Sequence, residues 1–434
     1  MPEPETAAVP DAVPAAVPSA GPESVEEFAE RAAAWLARNG EPLAPAAGPD
    51  ADGSGPAWGE GDFSVAVFHA LGFEEERDLL ADAQRWHRLK ATEGYHAITG
   101  PPEFGGLGLR PEHARAFAAL ERGYRVPTGH ESFSVTTDLV APTVEVFGTA
   151  DQRARFVASF LAAEELCCQL FSEPGAGSDL AGLSCRAVRD GDEWVIDGQK
   201  VWSSGAQFCQ WGLLIARTDV DVAKHEGLTA FLVPMDSEGI DVRQIRQMSG
   251  GTSFNEVFFS GCRVPDDLRL GGVGDGWRVA LTTLGFERDH SDPSGAAGAD
   301  RPGGRWPQLL ATARAMGVTG DPVMRQELAG VYIHTQVEAL LNRRAAELAR
   351  GGTPGPEGSL GKLMWTEGMA KVSDVASRVL GPRLVADTGE WGTFAWSTFL
   401  CGSPGLRIAG GTDEIQRNTI AERQLGLPKE PRPA

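Results

Sequence analysis

Between Leu170 and Gly205 the chain reads LFSEPGAGSDLAGLSCRAVRDGDEWVIDGQKVWSSG, the stretch that most restricts what it can fold into. A turn with glycines at 175 and 177 beside Ser178 leads into two strand-like segments. Glycine lets a backbone approach a ligand closely and adopt positive φ. By itself, Glu173 to Asp179 is an ordinary loop. With DGQKVWSSG one strand pair later, it becomes a turn backed by polar and aromatic residues at fixed spacing.

The rest of the chain falls into blocks around this stretch. At 434 residues it exceeds one compact core and suits two or three domains. Residues 1–22 are rich in Ala and Pro and are expected to form a disordered tail. Ser24 with Glu27 reads as a capping box, and Val25, Phe28, Ala32 and Leu36 mark one face of a helix. A Gly/Pro-rich linker follows at 40–62, then helical stretches around 63–98 and 111–125, separated by the loop Gly100 to Leu109. Short strands are expected at Glu193–Ile196, Trp211–Arg217, Thr229–Pro234, Ile240–Gln244 and Asn255–Val264. Helices return after Gly276, with further ones at 306–316, 321–350, 358–380 and 411–424. The expected class is α+β: an N-terminal helical domain (23–165), a small middle β domain (166–270) and a C-terminal helical bundle (271–434).

Composition narrows the function. Lys+Arg number 39 against 60 Asp+Glu, a net charge of -21 that repels phosphate backbones and anionic lipid surfaces, so neither nucleic acid nor membrane is an expected partner. The six cysteines lack C-x-x-C or His-interleaved spacing, which argues against a zinc site or a disulfide framework and fits a cytoplasmic location. The acidic, Pro-rich start has no basic n-region or apolar core of a signal peptide. No run approaches the ~18 apolar residues of a membrane span. Sequences typical of P-loops, zinc proteases and α/β-hydrolases are missing, and Gly272 to Gly276 reads as an entry to a helix rather than a phosphate loop.

The Leu170–Gly205 run resembles the flavin-binding signature of acyl-CoA dehydrogenases, and Ile408 to Pro428, IAGGTDEIQRNTIAERQLGLP, resembles that family's closing segment. The resemblance implies FAD as cofactor. Phe171 and Ser172 match residues at the flavin's pyrimidine edge, while Trp202 and Ser204 match those that cover the ring and reach its O4/N5 side. A buried isoalloxazine needs partners for its polar rim and aromatic cover for its faces. Thr412, Asp413 and Glu414 match C-terminal flavin contacts; outside that context Thr412 is a helix N-cap. Ser178 and Gly411 match acyl-CoA contacts, and the Gly410 N–H matches a donor to the thioester carbonyl. The loop Gly100 to Leu109 is a looser match to WPxEYGGxGL, with Gly100 and Phe104 in place of Trp and Tyr.

The family's reaction needs a carboxylate to take the α-proton while hydride leaves the β-carbon for the flavin. Most members carry it as Glu just before Gly-Thr, where this chain has Gly410. A minority, including isovaleryl- and long-chain-type members, place it on a helix instead, and Glu287 in GWRVALTTLGFERDH occupies that position. Trp277, Ala280, Leu281, Leu284 and Arg288 form a stripe with Glu287 at its edge, and a small Thr283 is expected to leave space for an acyl chain. Read alone, Glu287 is a solvated helix residue; the vacancy at Gly410 makes it the candidate base. Arg288 matches a residue near the substrate entrance.

The family's Arg-x-x-Phe-Gly and Gln-x-x-Gly-Gly-x-Gly motifs, which hold the AMP half of FAD across a subunit interface, are not recognisable; Asp289 to Arg305 and SRVLGPRLVADTGEW stand in their places. The expected activity is α,β-dehydrogenation of an acyl-CoA to the trans-2-enoyl thioester. An electron-transfer flavoprotein or equivalent would take the electrons, and the assembly would be a homo-oligomer or a heterotetramer. An acyl-CoA oxidase, a flavin-dependent monooxygenase and a non-catalytic partner subunit are the alternatives.

Overall fold

A computed structural model describes residues 23–43, 65, 67–68, 71–127, 130–288, 304–349, 357–386 and 393–429. The expected tail at 1–22, most of the 40–62 linker and the loop 289–303 lie outside the described residues.

The first helical layer comprises α1 (Val25–Asn39), β1 (Glu41–Pro42), α2 (Phe73–Ala91), α3 (Pro111–Glu121), β2 (Tyr124–Arg125), α4 (Glu131–Ser134), α5 (Ala141–Phe147) and α6 (Ala150–Leu161). The expected capping box is formed: Glu27 N donates to Ser24 Oγ at 3.2 Å and Ser24 N to Glu27 Oε2 at 2.9 Å. Phe28, Ala32, Trp35 and Leu36 bury the inner face of α1 against Tyr95, Ile98, Leu109 and Phe117. A π-helical turn, Val135–Val140, joins α4 to α5. The helix expected over 63–98 is shorter, because Val65 and Val67 alternate toward the C-terminal bundle core instead of joining α2.

The middle layer is an eight-stranded sheet of β3 (Cys167–Leu170), β4 (Arg186–Asp190), β5 (Glu193–Ser204), β6 (Trp211–Arg217), β7 (Leu228–Pro234), β8 (Ile240–Ile245), β9 (Phe254–Pro265) and β10 (Arg269–Leu270). Its path runs β10-β7-β6-β4-β5-β9-β8, with β3 parallel to β6. Register slips twice between β5 and β9. Ile196 faces Cys262 and Gly198 faces Phe259, so β9 carries an extra residue; then Lys200 faces Val257 and Ser203 faces Asn255, so β5 carries the next. Such bulges redirect side chains locally. Gly198, at φ 148°, sits where a Cβ would stand 2.7 Å from Cys185 Cα.

The last layer is α7 (Gly276–Arg288), α8 (Trp306–Ala315), α9 (Pro322–Ala349), α10 (Glu357–Leu380), α11 (Thr393–Leu406) and α12 (Asp413–Thr419), closed by a π-turn at Ile420–Gln424. The single helix expected at 411–424 is thus divided. Trp396 and Phe399 are fully buried and anchor α11 despite Gly402, Pro404 and Gly405. Among the described residues no helix is long and apolar enough to cross a membrane.

His87 on α2 donates from Nε2 to Leu161 O at 2.8 Å, tying α2 to the end of α6. Burial pulls its pKa down to about 4, against the opposing effect of that bond. The folded value lies below the ordinary 6.5, so stability from the neutral ring is complete above that pH and is lost as pH falls through about 4. Urea midpoints should decline across this window, and His87→Gln should flatten the decline; an identical slope in the variant would contradict this role.

Candidate active site

The site begins with a charged pair inside the sheet. Lys200 on β5 and Glu173 on the glycine turn have side-chain exposures of 0% and 4%, and Nζ lies 2.8 Å from Glu173 Oε1. Lys200 Nζ also donates to Phe171 O at 3.0 Å. The other donors to Glu173 are Ser184 N at 2.7 Å, Ser184 Oγ at 2.8 Å and Cys185 N at 2.9 Å. Burial pushes the Glu173 carboxyl up, but Lys200 and these hydrogen bonds outweigh it and hold it below the usual carboxylate range. Burial moves the Lys200 ammonium down from its ordinary value.

These bonds position the expected flavin turn. Phe171 is buried, Ser172 half-buried and Ser178 exposed. Val201 N donates to Ser172 O at 2.9 Å, bringing the turn and β5 together. A Cβ on Gly175 or Gly177 would meet nothing within 4 Å, so this side of the turn is open. The bulge after Lys200 turns Trp202 outward at φ 63°, leaving it 60% exposed. That conformation costs a non-glycine residue ~1–2 kcal/mol. Ser204 is half-buried beside it. An exposed indole, half-buried hydroxyls and an open glycine turn fit a flat ring with a polar rim, and these residues would hold FAD there.

Two rings connect Trp202 to α11, the helix that precedes the C-terminal segment. Phe254 lies edge-on to Trp202 at 6.1 Å and to Phe68 at 5.0 Å. Phe68 in turn packs against Gly405, where a Cβ would stand 2.9 Å from its ring. Beyond α11, Gly410 and Gly411 take φ of 64° and 85°, and Gln416 Nε2 donates to both carbonyls at 3.0 and 3.1 Å. Among the described residues no acceptor takes the Gly410 N–H. Thr412 caps α12, its Oγ1 accepting from Ile415 N at 3.3 Å. The Asp413 carboxylate is buried and already engaged, accepting from Thr366 Oγ1 and Arg407 Nε, each at 2.7 Å. Glu414 is exposed and lies 3.6 Å from Arg417.

Helix α7 packs on β7, with Val279, Ala280 and Thr283 fully buried. Leu281 is 41% exposed, so the inner face is not the expected stripe. Nor does Thr283 leave open space: its Oγ1 lies 3.0 Å from Thr143 Oγ1 on α5 and donates to Val279 O at 2.9 Å. The first contact crosses from α7 to α5, and the second is a bond within α7 to the preceding turn. The backbone of Glu287 and Arg288 completes α7, one turn beyond Thr283, and their side chains lie outside the described residues.

Comparison with known proteins agrees with this architecture. Family profiles described as acyl-CoA dehydrogenase N-terminal, middle and C-terminal domains match residues 68–164, 168–262 and 274–425. Acyl-CoA dehydrogenase IpdE1 of Mycobacterium tuberculosis is 36% identical over 409 residues, covering 94% of this chain and 98% of its own. The chain belongs to the acyl-CoA dehydrogenase family. The human mitochondrial short-chain specific acyl-CoA dehydrogenase is 30% identical, covering 84% of this chain and 88% of its own. The solved Tcur3481-Tcur3483 steroid ACAD superposes with TM-score 0.71 at 25% identity, covering 94% of this chain and 99% of that one. As an acyl-CoA dehydrogenase this protein is an oxidoreductase, and its cofactor is FAD.

Glu173 and Lys200 had no role in the reading of the sequence, although both stand inside the two motifs. The available signal was charge within segments otherwise destined for burial, since such groups are rarely buried unless paired. Glu173→Ala leaves the ammonium without its counter-ion and should cost ~3–5 kcal/mol in chemical denaturation. In the parent, stability from this carboxylate is present above the ordinary carboxylate pKa and lost as pH falls through its depressed value. A loss below ~1 kcal/mol would contradict a buried pair, falling in the range of exposed ones.

Proposed function

We propose that this acyl-CoA dehydrogenase oxidises the Cα–Cβ bond of a saturated acyl-CoA to the trans-2-enoyl thioester, with Glu287 as the base. The observation that carries the assignment is Gly410 at the usual position of the carboxylate, together with Glu287 at the end of α7. A general base contributes ~10²–10⁴-fold. Desolvation by substrate would raise the carboxyl pKa toward working pH. Arg288 follows it in the chain and, by the family resemblance, would lie near the substrate entrance.

The Gly410 N–H supports the second half of the reading. It is free of acceptors among the described residues, while the neighbouring carbonyls are tied to Gln416. A thioester carbonyl placed here would receive a hydrogen bond that strengthens as negative charge develops. Ser178 and Gly411 contact the same acyl-CoA. Phe171, Ser172, Trp202, Ser204, Thr412, Asp413 and Glu414 hold the FAD. For Asp413, whose N–H already donates to Arg407 O at 3.1 Å, the contact would come through the flank of a carboxylate bound to Arg407.

The acyl group is wide rather than long. Similarity to a steroid ACAD supports a ring-bearing thioester. The two-chain composition named for that relative, and the unrecognisable motifs for the AMP half of FAD, support pairing with a second chain of the same fold. An electron-transfer flavoprotein or equivalent carrier accepts the electrons.

Glu287→Gln should retain bound flavin yet slow its anaerobic bleaching by substrate at least ~10²-fold, the lower end of general-base contributions. Undiminished bleaching would refute Glu287 as the base. A panel of linear and ring-bearing acyl-CoA thioesters, read by the same bleaching, should favour the ring-bearing members; preference for long linear chains would overturn the ring-bearing reading.

A further inference from the structure

The mechanism leaves Lys200 without a chemical task, although an ammonium this deeply buried is unusual for a strand residue. Its two acceptors differ in kind. One is the carboxylate of Glu173 at 2.8 Å, and the other is the main-chain carbonyl of Phe171 at 3.0 Å, in the segment read as lying along the flavin's pyrimidine edge.

The carboxylate is screened by donors just before β4. Ser184 N and Oγ donate to its Oε2 at 2.7 and 2.8 Å, and Cys185 N donates at 2.9 Å to Oε1, the oxygen that also takes Lys200. Among the described residues, the ammonium's one other hydrogen-bond partner is the neutral carbonyl of Phe171. The charge in contact with the Phe171 carbonyl is therefore the ammonium, while the carboxylate, although it belongs to the same turn, is bound by donors at residues 184 and 185. Because both side chains are shut off from water, this field is weakened little by solvent or salt.

We infer that Lys200 is a positioning residue with an electrostatic function: held by Glu173, it orients the Phe171 carbonyl and raises the reduction potential of the flavin bound at this turn. Reduction brings negative charge to the pyrimidine side of the ring, and a fixed positive charge nearby favours that state; charge near the ring is a recognised means by which a protein tunes a flavin. The inference rests on the placement of FAD against Phe171 and Ser172 proposed above. It concerns the potential, independently of which residue removes the α-proton.

The test is an anaerobic spectroelectrochemical titration of the flavin-loaded enzyme in its natural assembly. Glu173→Gln keeps the ammonium and removes the anion, so its midpoint potential should lie above the parent. Lys200→Met keeps the anion and removes the cation, so its potential should lie below. Lys200→Arg should return toward the parent value. Should either single variant fail to fold, Glu173→Gln/Lys200→Met carries the test, because removing both charges avoids an unpaired buried ion. That double variant should also titrate below the parent.

A merely structural pair would change stability or flavin affinity while leaving the potential of the retained flavin in place. Equal potentials across the folded variants, or the reverse order, would overturn the inference. Trp202→Ala separates this outcome from failure of the site itself. If that variant alters the absorbance and affinity of the flavin but the charge series leaves the potential unmoved, the inference alone fails. If Trp202→Ala changes neither property, the flavin does not lie at this turn and both readings fall.

Discussion

An ammonium and a carboxylate shut inside a β-sheet must find each other, and in this protein that requirement determines the shape of the site. Glu173 lies on the glycine turn and Lys200 on β5, 27 residues later, yet they meet at 2.8 Å. A buried ion pair is a poor source of net stability, since desolvation offsets much of its attraction. Its consequence here is geometric. With Lys200 also bound to Phe171 O, and Glu173 bound to the backbone at Ser184 and Cys185, one network fixes both ends of the turn that precedes β4.

The bulge immediately after Lys200 extends this constraint outward. One extra residue in β5 turns Trp202 away from the sheet in a left-handed conformation, and Phe254 and Phe68 connect it to α11. Strain at one residue is tolerable when the neighbouring register is held on both sides. The C-terminal segment is built on the same principle. Two consecutive left-handed glycines are pinned by Gln416, while Arg407 and Thr366 anchor Asp413 at the first turn of α12. The result is two stiff segments, one at the sheet and one in the bundle.

Local signals in the chain account for much of this architecture. Ser24 with Glu27, the apolar face of α1 and the cap at Thr412 depend on residues three or four apart, and all three are formed. What was not legible depends on distant partners. Thr283 looked like room for substrate, but Thr143, 140 residues earlier, fills its surroundings. The outward turn of Trp202 follows from slippage against β9, a register no short stretch encodes. Helix α11 contradicts its own Gly402, Pro404 and Gly405; burial of Trp396 and Phe399 overrides local propensity. Lys200 and Glu173 were visible as letters of two motifs, yet their meeting is a tertiary fact.

A crystal structure of the flavin-loaded assembly with a bound acyl-CoA analogue tests the central claim most directly, because it shows where the ring lies relative to the turn that Glu173 and Lys200 hold. The account predicts the pyrimidine edge along Phe171 and Ser172, the Trp202 indole covered by the ring, and the Glu173–Lys200 contact intact behind them. A flavin bound elsewhere, with Trp202 still facing solvent, would contradict it.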